Sequence, residues 1–425
     1  MVLKIIGLCY DYLCLKRLFD RLPDGKKIDK RIVFNTMKVD PTTFAYEVFF
    51  AAMLSKHGAT TFNIIDDGVF EHIDQIQYFE INKEMGRIRQ FSTFKGKIAG
   101  ELLIFLAKLC FGRHLNFVRT SEIDFNENAN NNSSFDEIVE SSARRFFKTP
   151  YLDKLDPHVH EYYCMSYSVC HRSKRVGEFI LNELGADKVI TSHGIYSTWA
   201  PAYEVVKECL GSNLLIYGQL GHKKGEMLIA SERLQLLGGS RDMMRFLSKG
   251  LSAKEERIIY NYFQNRLSFK TEDSKVYYES ITDEFHFEKI GKVYAAFPNV
   301  ITEADINERH IIFQHTLDWL VTTIELFLKD ASNTLIIRCH PAEATMNKSK
   351  LSVEKEIYSL YPEVDSIANI HIIKSSRKID TYSVIKNQID IGIIYEGVLG
   401  LELALLSTPV IICGKGRLTD CSFGL

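Results

Sequence analysis

No CxxC pair, no Cys/His cluster at zinc-finger spacing and no apolar run of bilayer-spanning length occurs in the 425 residues. The nine cysteines are scattered. Cys110 and Cys209 fall in helix-like apolar patterns and Cys413 in a strand-like run, so reduced thiols are expected and a disulfide or zinc framework is excluded. The longest hydrophobic stretch, ELLIFLAKLCF from Glu101 to Phe111, is broken by Lys108. A membrane-spanning helix needs about 20 such residues, so none is expected. The N-terminus lacks a small-residue cleavage pattern and is not read as a signal peptide, which leaves a cytoplasmic protein as the expectation. Excess charge is missing too: the formal net charge is -2, which provides no global field for nucleic acid.

What is present is a globular composition, 46% apolar and 25% charged, in a chain long enough for two conventional cores. Residues Arg31 to Gly68 read as a β-α-β unit: RIVFN, a helix through FAYEVFFAAMLSKHG, and TTFNIIDDG. The pattern from about Glu71 to Leu184 is mainly helical, broken by the polar NENANNNSS from Asn126 to Ser134. A second unit follows, with helix RVGEFILNELG, strand DKVITSHG, helix TWAPAYEVVKECLG and strand LLIYG. The stretch from Gln219 to Gly291 is charged and helical, and the domain boundary is placed late in it. Five strands then alternate with helices: KVYAAFPNV, LIIRCHPAE, NIHIIKSS, IDIGIIYEG and PVIICG. Apolar strands joined by helices make a parallel, doubly wound sheet. The expected division is an N-terminal extension over residues 1–30, one domain over 31–285 and another over 286–425.

In an open α/β sheet, ligands bind outside the carboxyl ends of the strands. LIIRCHPAE ends there in Arg338, His340, Pro341 and Glu343, a set that suits a nucleotide phosphate, a metal, a covalent intermediate or a well-satisfied loop. Glu396 and Gly397 end IDIGIIYEG, and with Gly400 they permit close backbone approach to a diphosphate, with Glu402 for a ribose hydroxyl. The plainer reading is a turn glycine and a solvated glutamate. Lys374, Ser375 and Ser376 end a third strand. In the first domain Asp66, Asp67 and Gly68 end one strand, and His193 and Gly194 another, ahead of Tyr196, Ser197 and Trp199. Asp66, Asp67 or His193 suits a general base for an acceptor hydroxyl, and the aspartates equally suit a cap. His222 is a weak further candidate.

The order DDG, SHGIYSTWAP, RCHPAE and YEGVLGLELALLSTPVIICG resembles the capsular and surface-polysaccharide glycosyltransferases of the GT-B fold, over most of the chain from Arg31. That resemblance implies two Rossmann-like doubly wound domains facing a central cleft, the second binding a nucleotide-sugar and the first a glycan or lipid-linked acceptor. It also implies a closing helix after the last strand, and Leu425 comes soon after PVIICG. The His-Pro element is similar to that of bacterial sialyltransferases and Kdo transferases. By that likeness His340 is a donor-phosphate ligand, Ser375 and Ser376 match a serine motif, and Asp66-Asp67-Gly68 matches an acidic motif. No DxD motif sits at a strand end of the second domain, so transfer without a metal is expected, with Arg338, His340 and the Gly397–Gly400 segment neutralising the leaving phosphate. No cofactor is expected. A nucleotide-sugar epimerase and a non-catalytic nucleotide- or glycan-binding assembly subunit are the competing readings. Basic and apolar residues between Met1 and Arg31 further suggest contact with the inner membrane face.

Overall fold

The computed structural model describes residues 2–23, 25–35, 37, 41–70, 98, 100–125, 133–147, 152–192, 194–219, 227–231, 233, 250–270, 281–300, 312–345 and 352–416. The chain forms two compact units, unit 1 built from Met1–Phe147, Leu152–Leu220 and Gly225–Leu234, and unit 2 mainly from Gln235–Leu425.

Unit 1 holds β1 (Arg31–Asn35), β2 (Thr60–Ile65), β3 (Asn116–Arg119), β4 (Lys188–Ser192), β5 (Leu214–Gln219) and β6 (Met227–Ala230). They lie in the order β3-β2-β1-β4-β5-β6, all parallel except β6, which runs antiparallel to β5. Alternating side chains send β1 into both covering layers: Val33 joins one buried cluster, Ile32 and Phe34 the other. That is why the strand reads as an unbroken apolar run. The first layer contains α4 (Asp136–Phe147), α5 (Pro157–Asn182) and α6 (Ala200–Leu210). The second contains α1 (Val2–Arg21), α2 (Pro41–Lys56) and α3 (residues 100–111). Gly177 lets α5 and α6 cross closely: a Cβ there would lie 3.0 Å from both Cα and O of Ala202.

Unit 2 holds β7 (Val293–Phe297), β8 (Thr334–Arg338), β9 (Ile370–Ile373), β10 (Ile391–Ile394) and β11 (Val410–Ile412), all parallel in the order β11-β10-β7-β8-β9. These are the five strands expected of this half, and the doubly wound α/β architecture holds in both units. Leu335 and Ile337 face one buried cluster and Ile336 the other. Around the sheet lie α7 (Ala253–Leu267), α8 (Thr316–Lys329), α9 (Val353–Leu360), α10 (Thr381–Gln388) and α11 (Leu399–Leu405). The boundary expected at 285/286 falls inside unit 2, because Arg266 of α7 donates to Glu402 and the Thr282–Asp283 backbone bonds to Lys378. The residues expected as an extension, 1–30, fall in unit 1, where Tyr12, Leu15 and Phe19 are buried.

Strand order reverses between β1 and β4 in unit 1 and between β7 and β10 in unit 2. The carboxyl ends of those pairs are the natural ligand positions of each sheet.

Candidate functional site

Of the second sheet's strand-end residues, only some face a ligand position. His340, just beyond β8, accepts the Ala342 N–H on Nδ1 at 3.1 Å, which leaves the ring proton on Nε2. Burial, and to a lesser degree the neighbouring Arg338, pulls the His340 pKa down to about 4. At neutral pH His340 is therefore an uncharged imidazole with an Nε2–H donor, in place of the expected neutralising cation.

Arg338 turns inward. It is 4% exposed, and its guanidinium donates to Lys374 O at 2.7 Å, Arg377 O at 3.2 Å and Thr381 Oγ1 at 3.4 Å. The cation shapes the loop between β9 and α10. Glu343 is likewise committed, accepting the Val353 N–H at 3.0 and 3.2 Å and capping α9. Ser375 donates from N and Oγ to Glu354 at 3.2 and 3.3 Å, while Ser376 is exposed. Glu402, 2% exposed, accepts from Arg266 Nε and from Tyr382 Oη at 3.1 Å, so its carboxylate joins α7, α10 and α11 where a ribose contact was expected.

At the strand-order reversal, β10 is followed by Tyr395, Glu396 and Gly397. Gly397 has φ +127°, which side chains resist. The nearest atom to a Cβ there would be Asn299 Oδ1, at 3.7 Å, so Asn299 beyond β7 faces Gly397 across the reversal. Asn299 was missed by sequence reasoning. The signal available was an amide two residues beyond an apolar strand, the first of this sheet in the chain. Glu396 is half-buried, and Gly400 is buried in α11, a helix of seven residues.

In unit 1 the acidic turn builds its own loop. Asp66 is fully buried, and its Oδ1 accepts from Val69 N–H and Phe70 N–H at 2.9 Å each and from Thr120 Oγ1 at 2.8 Å. Asp67 accepts from Ser121 N–H and Thr120 Oγ1 at 3.0 Å each. Both carboxylates thus take the capping role. His193 and His222 lie outside the described residues. The rest of SHGIYSTWAP is packed: Ser197 bonds Ser142 Oγ through N–H at 3.0 Å and Oγ at 2.8 Å, and Arg145 donates to Tyr196 Oη at 3.0 Å. Gly194, at φ +65°, would bring a Cβ within 2.9 Å of the Tyr203 ring.

Three polar groups that sequence reasoning passed over lie at or near the carboxyl edge of this sheet. Asn35 Oδ1 ends β1, Ser192 Oγ ends β4 and Tyr217 Oη lies on β5, all buried without a hydrogen-bond partner. Asn35 pairs in register with Thr191, and Ser192 with Tyr217, so they flank the β1–β4 reversal. Each costs free energy while it lacks a partner, and each is closed to solvent in this conformation.

No protein-family model matches the chain, and no curated protein matches it in sequence. Among solved structures it is similar to KpsC, a beta Kdo 2,7 transferase from Thermosulfurimonas dismutans, at 10% identity over 58% of this chain and 71% of that one, with a TM-score of 0.35. It is similar to UDP-GlcNAc 2-epimerase from Neisseria meningitidis at 11% identity, covering 90% and 82% of the two chains, with a TM-score of 0.23. Tyrosyl-tRNA synthetase from Leishmania major gives 10% identity, 88% and 75% coverage and a TM-score of 0.22. Likenesses this slight carry no argument about chemistry, and the fold rests on the strand orders themselves.

Proposed function

We propose that the chain is a glycosyltransferase that moves a sugar from a nucleotide-activated donor to a surface glycan or lipid-linked acceptor. The observation that carries this reading is the neutral His340 imidazole at the end of β8, one strand from the β7–β10 reversal. In the reaction the anomeric C–O bond to phosphate breaks, a new bond forms to an acceptor oxygen, and the acceptor hydroxyl loses its proton to a base. The nucleotide phosphate leaves with the bonding pair. His340 Nε2–H donates to that phosphate, while Asn299, Glu396 and the Gly397 turn give the nucleotide a close backbone approach, with Gly400 behind them and Ser376 a further donor. Arg338, Glu343, Ser375 and Glu402 hold these groups in place. Unit 1 serves the acceptor. Directly after Ser192 the sequence offers His193 as the base. A lipid-linked acceptor would bring the protein to the inner membrane face.

The test is a thermal-shift screen of UDP, GDP, CMP, CDP and dTDP compounds, since a ligand of the native state raises its apparent stability. One of them should stabilise the protein, and His340→Ala should weaken its binding by about 1.5–3 kcal/mol, or roughly ten- to a hundredfold in Kd. No shift with any nucleotide, or an unchanged Kd in the variant, overturns the reading. A new sugar formed from the donor with no acceptor present would identify an epimerase instead.

A further inference from the structure

Helix α3 has two apolar faces. Leu103, Ile104, Ala107 and Phe111 are buried in the core of unit 1, whereas Ile98, Leu102, Phe105 and Leu109 are 55%, 40%, 58% and 65% exposed. The i, i+3, i+7 spacing of Leu102, Phe105 and Leu109 aligns these three in one stripe on the side of the helix turned from the core, and Ile98 lies just before it. A contiguous exposed stripe of this kind marks an interaction surface.

The adjoining surface says what covers it. The Phe111 ring lies 6.5 Å from Tyr12 and 5.5 Å from Phe19, so α1 packs beside α3, and α1 exposes Tyr10, Leu13 and Leu18. Lys108 on α3, Arg113 just after it, and Arg17 and Arg21 on α1 are all exposed. Among the described residues, Glu101 and Glu122 pair with Arg119 at 2.7 and 3.4 Å and Asp20 with Lys16 at 2.5 Å, while Asp11 is half-buried and Asp29 exposed. Burial and repulsion from Arg113, Lys56 and Lys16 hold His114 below the usual histidine range, as a positive local potential requires.

We propose that the stripe Leu102, Phe105 and Leu109, with Ile98 and the surrounding basic residues, docks unit 1 on an anionic lipid surface. Acyl chains complement the apolar stripe and anionic headgroups the basic residues around it. No helix among the described residues is long and apolar enough to cross a membrane, so α3 lies in the interface plane. The inference rests on the membrane contact proposed above and uses no residue of the donor site.

The test is co-sedimentation of the full chain with vesicles of phosphatidylcholine alone and with phosphatidylglycerol added. Expected is binding to the anionic vesicles that weakens with salt, a tenfold or greater loss in Phe105→Ser/Leu109→Ser, and a salt-sensitive loss in Lys108→Gln/Arg113→Gln. These side chains are exposed, so melting temperature and nucleotide response should stay at wild-type values, which separates failure here from failure of the donor reading. Equal binding by the Phe105/Leu109 variant, or none by the intact chain, overturns the proposal. So does a serine variant that changes only from dimer to monomer, which would assign the stripe to a second copy.

Discussion

A histidine kept neutral inside a fold makes stability depend on pH in one direction. With the His340 pKa at 6.5 in the unfolded chain and about 4 in the folded one, the unfolded state binds the extra proton between those values. Stability is therefore complete above pH 6.5 and falls as pH drops toward 4, by about 3 kcal/mol from this residue. Chemical denaturation at pH 7, 5.5 and 4 should show the loss, and His340→Gln should flatten it; an equally steep profile in the variant would show that His340 is not the group responsible. Nucleotide binding by an uncharged Nε2–H should, by contrast, vary little between pH 6.5 and 8. The position of such residues was legible, because an apolar strand that stops at RCHPAE announces a carboxyl edge. Their allegiance was not. Arg338, Glu343 and Glu402 carry the right chemistry for a nucleotide, but which hydrogen bonds they make depends on groups 36, 10 and 136 residues away, the last the side chain of Arg266. No local pattern encodes that.

Among the elements, the contact between α5 and α6 is constrained by one residue. A side chain at 177 meets the Ala202 backbone, which cannot swing aside as a rotamer does. Gly177→Val should cost about 1–3 kcal/mol through forced separation of the helices, visible as a lower melting temperature, and an unchanged one would mean the helices slide apart easily. Strands buried on both faces, such as RIVFN and LIIR, were readable because each is built around an unbroken apolar run, Ile32–Phe34 and Leu335–Ile337. The edge strands of unit 1 were not: NFVR has four residues and no fully buried one, and MLIA follows a stretch with no strand-like alternation. Helix α1 shows the same limit from the other side. Its apolar residues were visible, but the separation into a buried set at Tyr12, Leu15 and Phe19 and an exposed set at Tyr10, Leu13 and Leu18 depends on where α3 lies.

At the scale of the whole molecule, each unit has its own sheet and its own buried clusters, so each can unfold in its own transition. Scanning calorimetry should resolve two transitions, and a bound nucleotide should raise only the one that His340→Gln also alters. A single transition raised as a whole would show the units to be one cooperative body. The two-sheet architecture itself was legible from the alternation of strands and helices, which chirality rules convert almost directly into topology. The strand orders carry a further consequence for the order in which the chain can fold as it is made. β1 finds β2 within a few tens of residues, but its other neighbour, β4, begins at Lys188, and β7 must likewise wait for β10 at Ile391. Until then the open edge of each half-sheet is a bare strand in search of a partner, the kind of surface on which nascent chains aggregate. The strand pairs at whose ends Asn35 and Asn299 lie are thus completed only once β4 and β10 have been made.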